Sequence, residues 1–210
     1  MKKYAWTMTA ILALAALTGA AETADYAGYL PEGARFVRQE TDDGATEIEY
    51  RGADGERYEL LVGPDGTVLA LEVDRKTKAE SVATLTAEEA FGILTKTYPD
   101  ARQIAAALDT KNGRAVWVVL FEDAGALNAY ELDAGTGEVL AYDRIFGYSR
   151  DTDPTVQIYL SYPGAEITKL NLGFEDGKAI YEGEATVDDF KYDFEADYAT
   201  GQLLKWEMDD

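Results

Sequence analysis

The chain writes one passage twice, as LNAYELDAGTGEVLAYD from Leu127 to Asp143 and as FKYDFEADYATGQLLKWE from Phe190 to Glu207. Setting Gly137 on Gly201 brings Tyr130 onto Phe194, Glu131 onto Glu195, Asp133 onto Asp197, Leu140 onto Leu204 and Tyr142 onto Trp206. In the same register Tyr98-Pro99 falls on Tyr162-Pro163 and Asn112-Gly113 on Asp176-Gly177. One constant offset of 64 residues, held by four landmarks, is the mark of an internal duplication. A more diverged copy lies in front: YLPEGA from Tyr29 supplies the Tyr-Pro landmark, Asp43-Gly44 the first hairpin, and GPDGTVLALEV from Gly63 to Val73 the last. The units so defined are residues 22–76, 84–147 and 151–210, joined by polar stretches around 78–81 and 149–153.

Each unit reads as one helix followed by a four-stranded antiparallel meander, which makes the chain α+β. In the second unit Thr86 and Glu89 form a capping box, and Ala87, Ala90, Phe91, Leu94 and Tyr98 recur at helical spacing until Pro99. In the third, Asp153 is the expected N-cap with Pro154 at the first helical position, and Val156, Tyr159 and Leu160 make a shorter stripe. The first unit offers only Tyr26, Tyr29 and Leu30, weakened by Gly28. The strands alternate: Phe190, Tyr192, Phe194, Ala196 and Tyr198 face one way and Lys191, Asp193, Glu195 and Asp197 the other. Such a sheet is covered on one face and wet on the other, and its Asp-Gly and Asn-Gly pairs are strong hairpin signals.

The third unit, YPGAEITKLNLGFEDGKAIYEGEATVDDFKYDFEADYATGQLLKWE, resembles a PepSY domain nearly end to end, with Tyr-Pro-Gly-Ala closing the helix, an Asp-Gly-Lys hairpin and a Phe-Glu-x-Asp strand before a Thr-Gly turn. The second resembles it through Tyr98-Pro99-Asp100-Ala101 and Glu131-Leu132-Asp133-Ala134, followed by Thr136-Gly137. The first is similar to the variant of the family described as like beta-lactamase inhibitors. The resemblance implies a non-enzymatic binding or inhibitory module, as in the propeptides of thermolysin-type peptidases, and it transfers no catalytic residue.

Residues 1–21 have the parts of a secretory signal peptide: Lys2 and Lys3, the apolar run from Thr9 to Thr18, and the small residues Gly19, Ala20 and Ala21. The run is shorter than the roughly 20 apolar residues of a membrane span, so the expectation is cleavage near Ala20 or Ala21, release from the membrane, and a secreted or cell-envelope protein. With 40 acidic against 19 basic residues the net charge is −21, which sets the chain against a phosphate backbone and excludes nucleic acid as a partner. There is no cysteine, so burial alone must stabilise each unit.

Without histidine the chain has no Ser-His-Asp triad, Cys-His pair or histidine metal site, and none of Ser81, Ser149 and Ser161 heads a Ser-x-x-Lys motif. No catalytic residue, cofactor or metal ligand is therefore assigned, and the chain is read as not an enzyme. DAGTGE from Asp133 to Glu138 lacks the further acids of a calcium loop and the glycine pattern of a dinucleotide loop, and reads as a hairpin turn. Most of the fourteen tyrosines, Tyr98, Tyr130, Tyr142, Tyr192 and Tyr198 among them, fall at core positions.

One strand differs among the copies. Val116, Val118 and Leu120 of the second unit align with Ile180, Glu182 and Glu184 of the third and with Glu47, Glu49 and Arg51 of the first. Since Trp117, Val119 and Phe121 supply the helix-covered face, this middle strand asks for burial on both sides. Val116, Val118 and Leu120 are thus the candidate face for a protein partner or a neighbouring unit. The functional expectation is an exported regulator that binds or inhibits a peptidase or another envelope enzyme. The alternative is a structural or sensory envelope component that binds small ligands or cations through its acidic surface.

Overall fold

The computed structural model describes residues 26–53, 55–75 and 82–209. The signal segment and the join at 78–81 lie outside them. Among the described residues the first unit forms β1 (Arg35–Asp42), β2 (Ala45–Arg51), β3 (Arg57–Val62) and β4 (Val68–Asp74). The second forms α1 (Ala87–Leu94), β5 (Arg102–Lys111), β6 (Arg114–Asp123), β7 (Ala126–Asp133) and β8 (Val139–Phe146). The third forms α2 (Pro154–Ser161), β9 (Glu166–Glu175), β10 (Lys178–Val187), β11 (Phe190–Asp197) and β12 (Leu203–Met208). All strand pairing is antiparallel, giving an α+β fold.

The hairpins follow their turn residues. Asp43-Gly44, Asn112-Gly113 and Asp176-Gly177 all have positive φ at both positions, the backbone of a type I′ turn whose twist matches the strands it joins. The repeated Asp-x-x-Thr-Gly loop also closes in the same way twice. The Asp133 carboxylate accepts from the N–H of Gly135 and Thr136, and that of Asp197 accepts from the N–H of Thr200 at 2.8 Å. Gly137 N–H then returns to the Asp133 carbonyl at 2.8 Å, and Gly201 N–H to that of Asp197 at 2.7 Å. The Asp133 carboxylate is engaged by its own turn.

Both helices start at the residues expected. The Glu89 N–H donates to Thr86 Oγ1 while the Thr86 N–H donates to the Glu89 carboxylate at 2.8 Å, and Asp153 accepts from the Thr155 N–H at 2.9 Å with Pro154 following. The first unit departs from the expected helix: Ala27–Leu30 is a turn, with Tyr29 N–H on the Tyr26 carbonyl. Gly28 penalises helical backbone and Pro31 follows at once, so only Tyr26 and Leu30 reach the apolar face of β2–β4.

The units do not form three separate sheets. Strands β1 to β8 make one sheet in the order β1-β2-β3-β4-β8-β7-β6-β5, because the last strands of the first two meanders pair with each other. Across this junction Leu71 opposes Arg144, Glu72 opposes Asp143 and Val73 opposes Tyr142. The third unit keeps its own sheet, β12-β11-β10-β9, and β9 packs against β5, β6, β7 and β8.

One core joins the three units: Ala45 and Leu61 of the first, Leu120, Leu127 and Ile145 of the second, and Ile167, Leu170, Tyr181 and Phe194 of the third. A second core under α1 holds Ala90, Leu94, Val119, Phe121, Tyr130 and Leu132. The loop between β8 and α2 is fixed by Tyr148, whose hydroxyl donates to Asp153, and by the Tyr198 hydroxyl, which donates to the Phe146 carbonyl at 2.7 Å.

Gly137 and Gly201 hold the repeat's shared loop in left-handed backbone at close quarters. A Cβ on Gly201 would lie 2.7 Å from the Thr152 carbonyl carbon, and one on Gly137 would meet the Ile93 side chain. Gly201→Ala therefore adds a backbone clash to the cost of a positive φ, and should lower stability by about 2–4 kcal/mol. Chemical denaturation of Gly201→Ala beside Gly164→Ala, where no atom lies within 4 Å of the added Cβ, separates the two contributions.

Candidate functional site

The strand register gathers acids into a transverse row. Arg38 opposes Glu49, Glu49 opposes Glu59, Glu59 opposes Glu72, and across the junction Glu72 opposes Asp143. Four carboxylates thus stand on four neighbouring strands of one sheet, an arrangement that costs stability unless cations lie among them. Arg38 bridges Glu49 at 2.9 Å and Glu59 at 3.9 Å, Arg51 bridges Glu49 at 2.9 Å, and Arg57 reaches Glu59, Glu72 and Asp74.

The sheet of the third unit carries a row of its own, Asn171 opposite Glu182, Glu182 opposite Glu195, and Glu195 opposite Lys205, with a Lys205–Glu195 bridge of 3.1 Å. Between the two rows lies an open cleft of about 620 Å³. Glu47, Glu59 and Glu72 line one wall, and Glu182 and Glu195 with Lys169 line the other. Ala45, Leu61 and Phe174 also line it, so the cleft is polar and apolar in turn.

The acids of the two walls hold protons alike, and those beside the cleft do not. Burial pushes the Glu47, Glu59 and Glu182 carboxyls above the usual carboxylate range, with neighbouring acids adding to it. Burial likewise raises Asp143 well above that range, reinforced by Glu72 and Glu131 and opposed by Lys169. Burial would raise Glu49 as well, but the hydrogen bond from Arg38 and the charge of Arg51 outweigh it and hold Glu49 low. No group of three or more metal-ligating side chains is arranged for a metal ion among the described residues.

The face singled out by sequence lies elsewhere. Val116, Val118 and Leu120 are buried, and Leu120 belongs to the core shared by the three units. Of the residues aligned with them, Glu47 and Glu182 reach the cleft with Glu184, while Glu49 is buried against Arg38 and Arg51 and Ile180 also lines the cleft. The cleft was not foreseen, although its cue was present: the charge substitutions that single out the middle strand also place acids on the outer units.

Residues 84–143 match the PepSY family, described as peptidase propeptide and YPEB domain. The match falls on the second unit, whereas the third carries the fuller set of the family's motifs in its sequence. Among solved structures, the chain is similar to the YpeB C-terminal domain of Bacillus megaterium at 12% identity, over 87% of this chain and 92% of that one, with a TM-score of 0.35. It is also similar to a protein titled as a lipoprotein from Clostridium difficile 630, at 20% identity over 62% of this chain and 97% of that one, with a TM-score of 0.30. No curated protein matches the chain. No helix among the described residues is long and apolar enough to cross a membrane.

The raised carboxyls bind protons more tightly in the folded chain than in the unfolded one. Their contribution is complete at low pH and is lost as pH rises through their elevated pKa values. Glu49 acts oppositely, its contribution being lost as pH falls below the usual range. The melting temperature should therefore be higher at about pH 5.5 than at about pH 7.5. Glu59→Gln with Asp143→Asn should flatten that difference, as followed by circular dichroism melts at both pH values.

Proposed function

We propose that the chain is an exported, non-enzymatic PepSY-type protein that regulates a peptidase or another cell-envelope enzyme by binding it. The match of residues 84–143 to a family that includes peptidase propeptides carries this reading, since a propeptide acts by contact. The cleft between the first and third units supplies a contact surface of suitable kind: an open trough with acidic walls and an apolar strip accepts an extended segment bearing basic and apolar side chains. Residues 22–76, 84–147 and 151–210 act in this reading as three copies of one module, two of them carrying a helix. Val116, Val118 and Leu120 then form the internal face on which the third module rests, leaving the cleft rather than this face for the partner.

Immobilised protein should retain a peptidase or other envelope enzyme from an envelope extract, and addition of the protein should change that enzyme's activity. Glu47→Lys with Glu182→Lys should weaken retention at least about tenfold while the chain stays folded. Retention of no envelope protein, or retention indifferent to the two reversals, defeats the reading in its general form or at the cleft respectively.

The internal face has its own test. Val118→Glu places a carboxylate at a buried position directly opposite Glu131. It should destabilise the isolated chain by at least about 4 kcal/mol, lowering the melting temperature by roughly 10 °C. A variant that melts like the parent would instead make the face a free surface.

A further inference from the structure

The junction of the large sheet shows how one meander of this kind joins another. The last strands of two units, β4 and β8, lie edge to edge and antiparallel, related by a pseudo-twofold axis at Glu72 and Asp143. The third unit has the same last strand. In the aligned repeats Leu71, Tyr142 and Trp206 occupy one position, as do Glu72, Asp143 and Glu207. Yet β12 pairs only with β11, and its outer edge has no neighbouring strand among the described residues.

That edge is ready for pairing. Asp209 N–H donates to the Lys191 carbonyl at 2.9 Å, so the alternation of an antiparallel ladder sends Lys205 and Glu207 inward to β11 and turns the backbone N–H and C=O of Trp206 and Met208 outward, with Leu204 at the irregularity just before them. The side chains of Leu204 and Met208 are also left 57% and 52% exposed, a poor end state for an edge that stays in water. The other free ends are blunted. β1 carries Arg35, Arg38 and Glu40 and is interrupted between Phe36 and Arg38, β5 is interrupted between Gln103 and Ala105, and β9 is packed against the large sheet.

We propose that β12 pairs antiparallel with β12 of a second copy, forming a twofold dimer whose two four-stranded sheets become one of eight strands. The strand is complementary to itself. Centring the axis on Trp206 sets Lys205 of one copy opposite Glu207 of the other, twice, and Leu204 opposite Met208, twice, with the outward backbone groups meeting as hydrogen-bonded pairs. The register of the β4–β8 junction would set Glu207 against itself, so the axis steps one residue and keeps every side chain on its own face. Such an isologous contact closes on itself and builds no filament.

Sedimentation velocity of the full chain over a concentration series tests this. The parent should show a reversible monomer–dimer equilibrium. Met208→Pro removes an outward N–H that makes no bond within the chain and fills the edge with a ring, and it should abolish the dimer. Glu207→Lys opposes Lys205 with lysine across the axis and should raise the dissociation constant at least about tenfold. Adding Lys205→Glu to it should restore the dimer. Far-ultraviolet circular dichroism reports whether each variant is folded, and Glu207→Lys decides the matter should Met208→Pro not fold. A parent that stays monomeric at all concentrations, or a dimer indifferent to Glu207→Lys, overturns the proposal, and neither result bears on whether the cleft binds an enzyme.

Discussion

The architecture depends on β6 being buried on both faces. Val119 and Phe121 point into the core under α1, while Val116, Val118 and Leu120 on the other face are equally removed from water. Full burial of five such side chains is worth roughly 1.5–3 kcal/mol each, comparable in sum to the stability of a whole domain. A single helix can cover one face of a four-stranded sheet. The second face needs another sheet, and β9 of the third unit runs over it. The middle unit is thus the centre of a layered body, and the outer units are free to keep charge on the corresponding face.

That asymmetry creates the cleft. Duplicated modules begin with the same face, but only the middle one has it apolar along its length. At one end of the first unit Ala45, Leu61 and Ala70 join the shared core, and toward the other end the same face turns to Glu49, Glu59 and Glu72. The facing region of the third unit turns to Glu182 and Glu195. Two like-charged walls do not close on each other, because the desolvation of several carboxylates would not be repaid by contact. The sheets meet where both are apolar and stay apart where both are acidic.

Much of the local structure was legible because short-range chemistry decides it. Thr86 with Glu89, Asp153 with Pro154 and the Asx-Gly pairs each form the cap or turn they announce, whatever surrounds them. The demand of Val116, Val118 and Leu120 for cover was equally plain from alternation. The joining of β4 to β8 was not. Edge pairing is made by backbone groups that every residue carries, and Glu72 facing Asp143 would by side-chain rules argue against it. The cleft escaped for a related reason: acids on an exposed face look alike in sequence until the placement of a second sheet decides which of them share a space. The expected helix of the first unit failed on a short-range signal that was present, Gly28 with Pro31.

The tension between Glu72 and Asp143 also explains why the junction holds. Opposed carboxylates on adjacent strands repel only while both are ionised, and burial with Glu72 and Glu131 nearby raises the Asp143 carboxyl well above its ordinary range. A protonated Asp143 no longer repels its neighbour and gains a donor of its own. Arg57, bridging Glu72 and Asp74 from the adjacent strand, supplies compensation on the other side. The seam between the first two units therefore rests on backbone pairing, on apolar rungs such as Val73 opposite Tyr142, and on one acid whose surroundings favour its neutral form. The third unit lacks such a seam within the chain, and its last strand carries Lys205 beside Glu207 where the others carry Ala70 beside Glu72 and Ala141 beside Asp143. That lysine places beside the acid the countercharge that Glu72 obtains from Arg57 on the neighbouring strand.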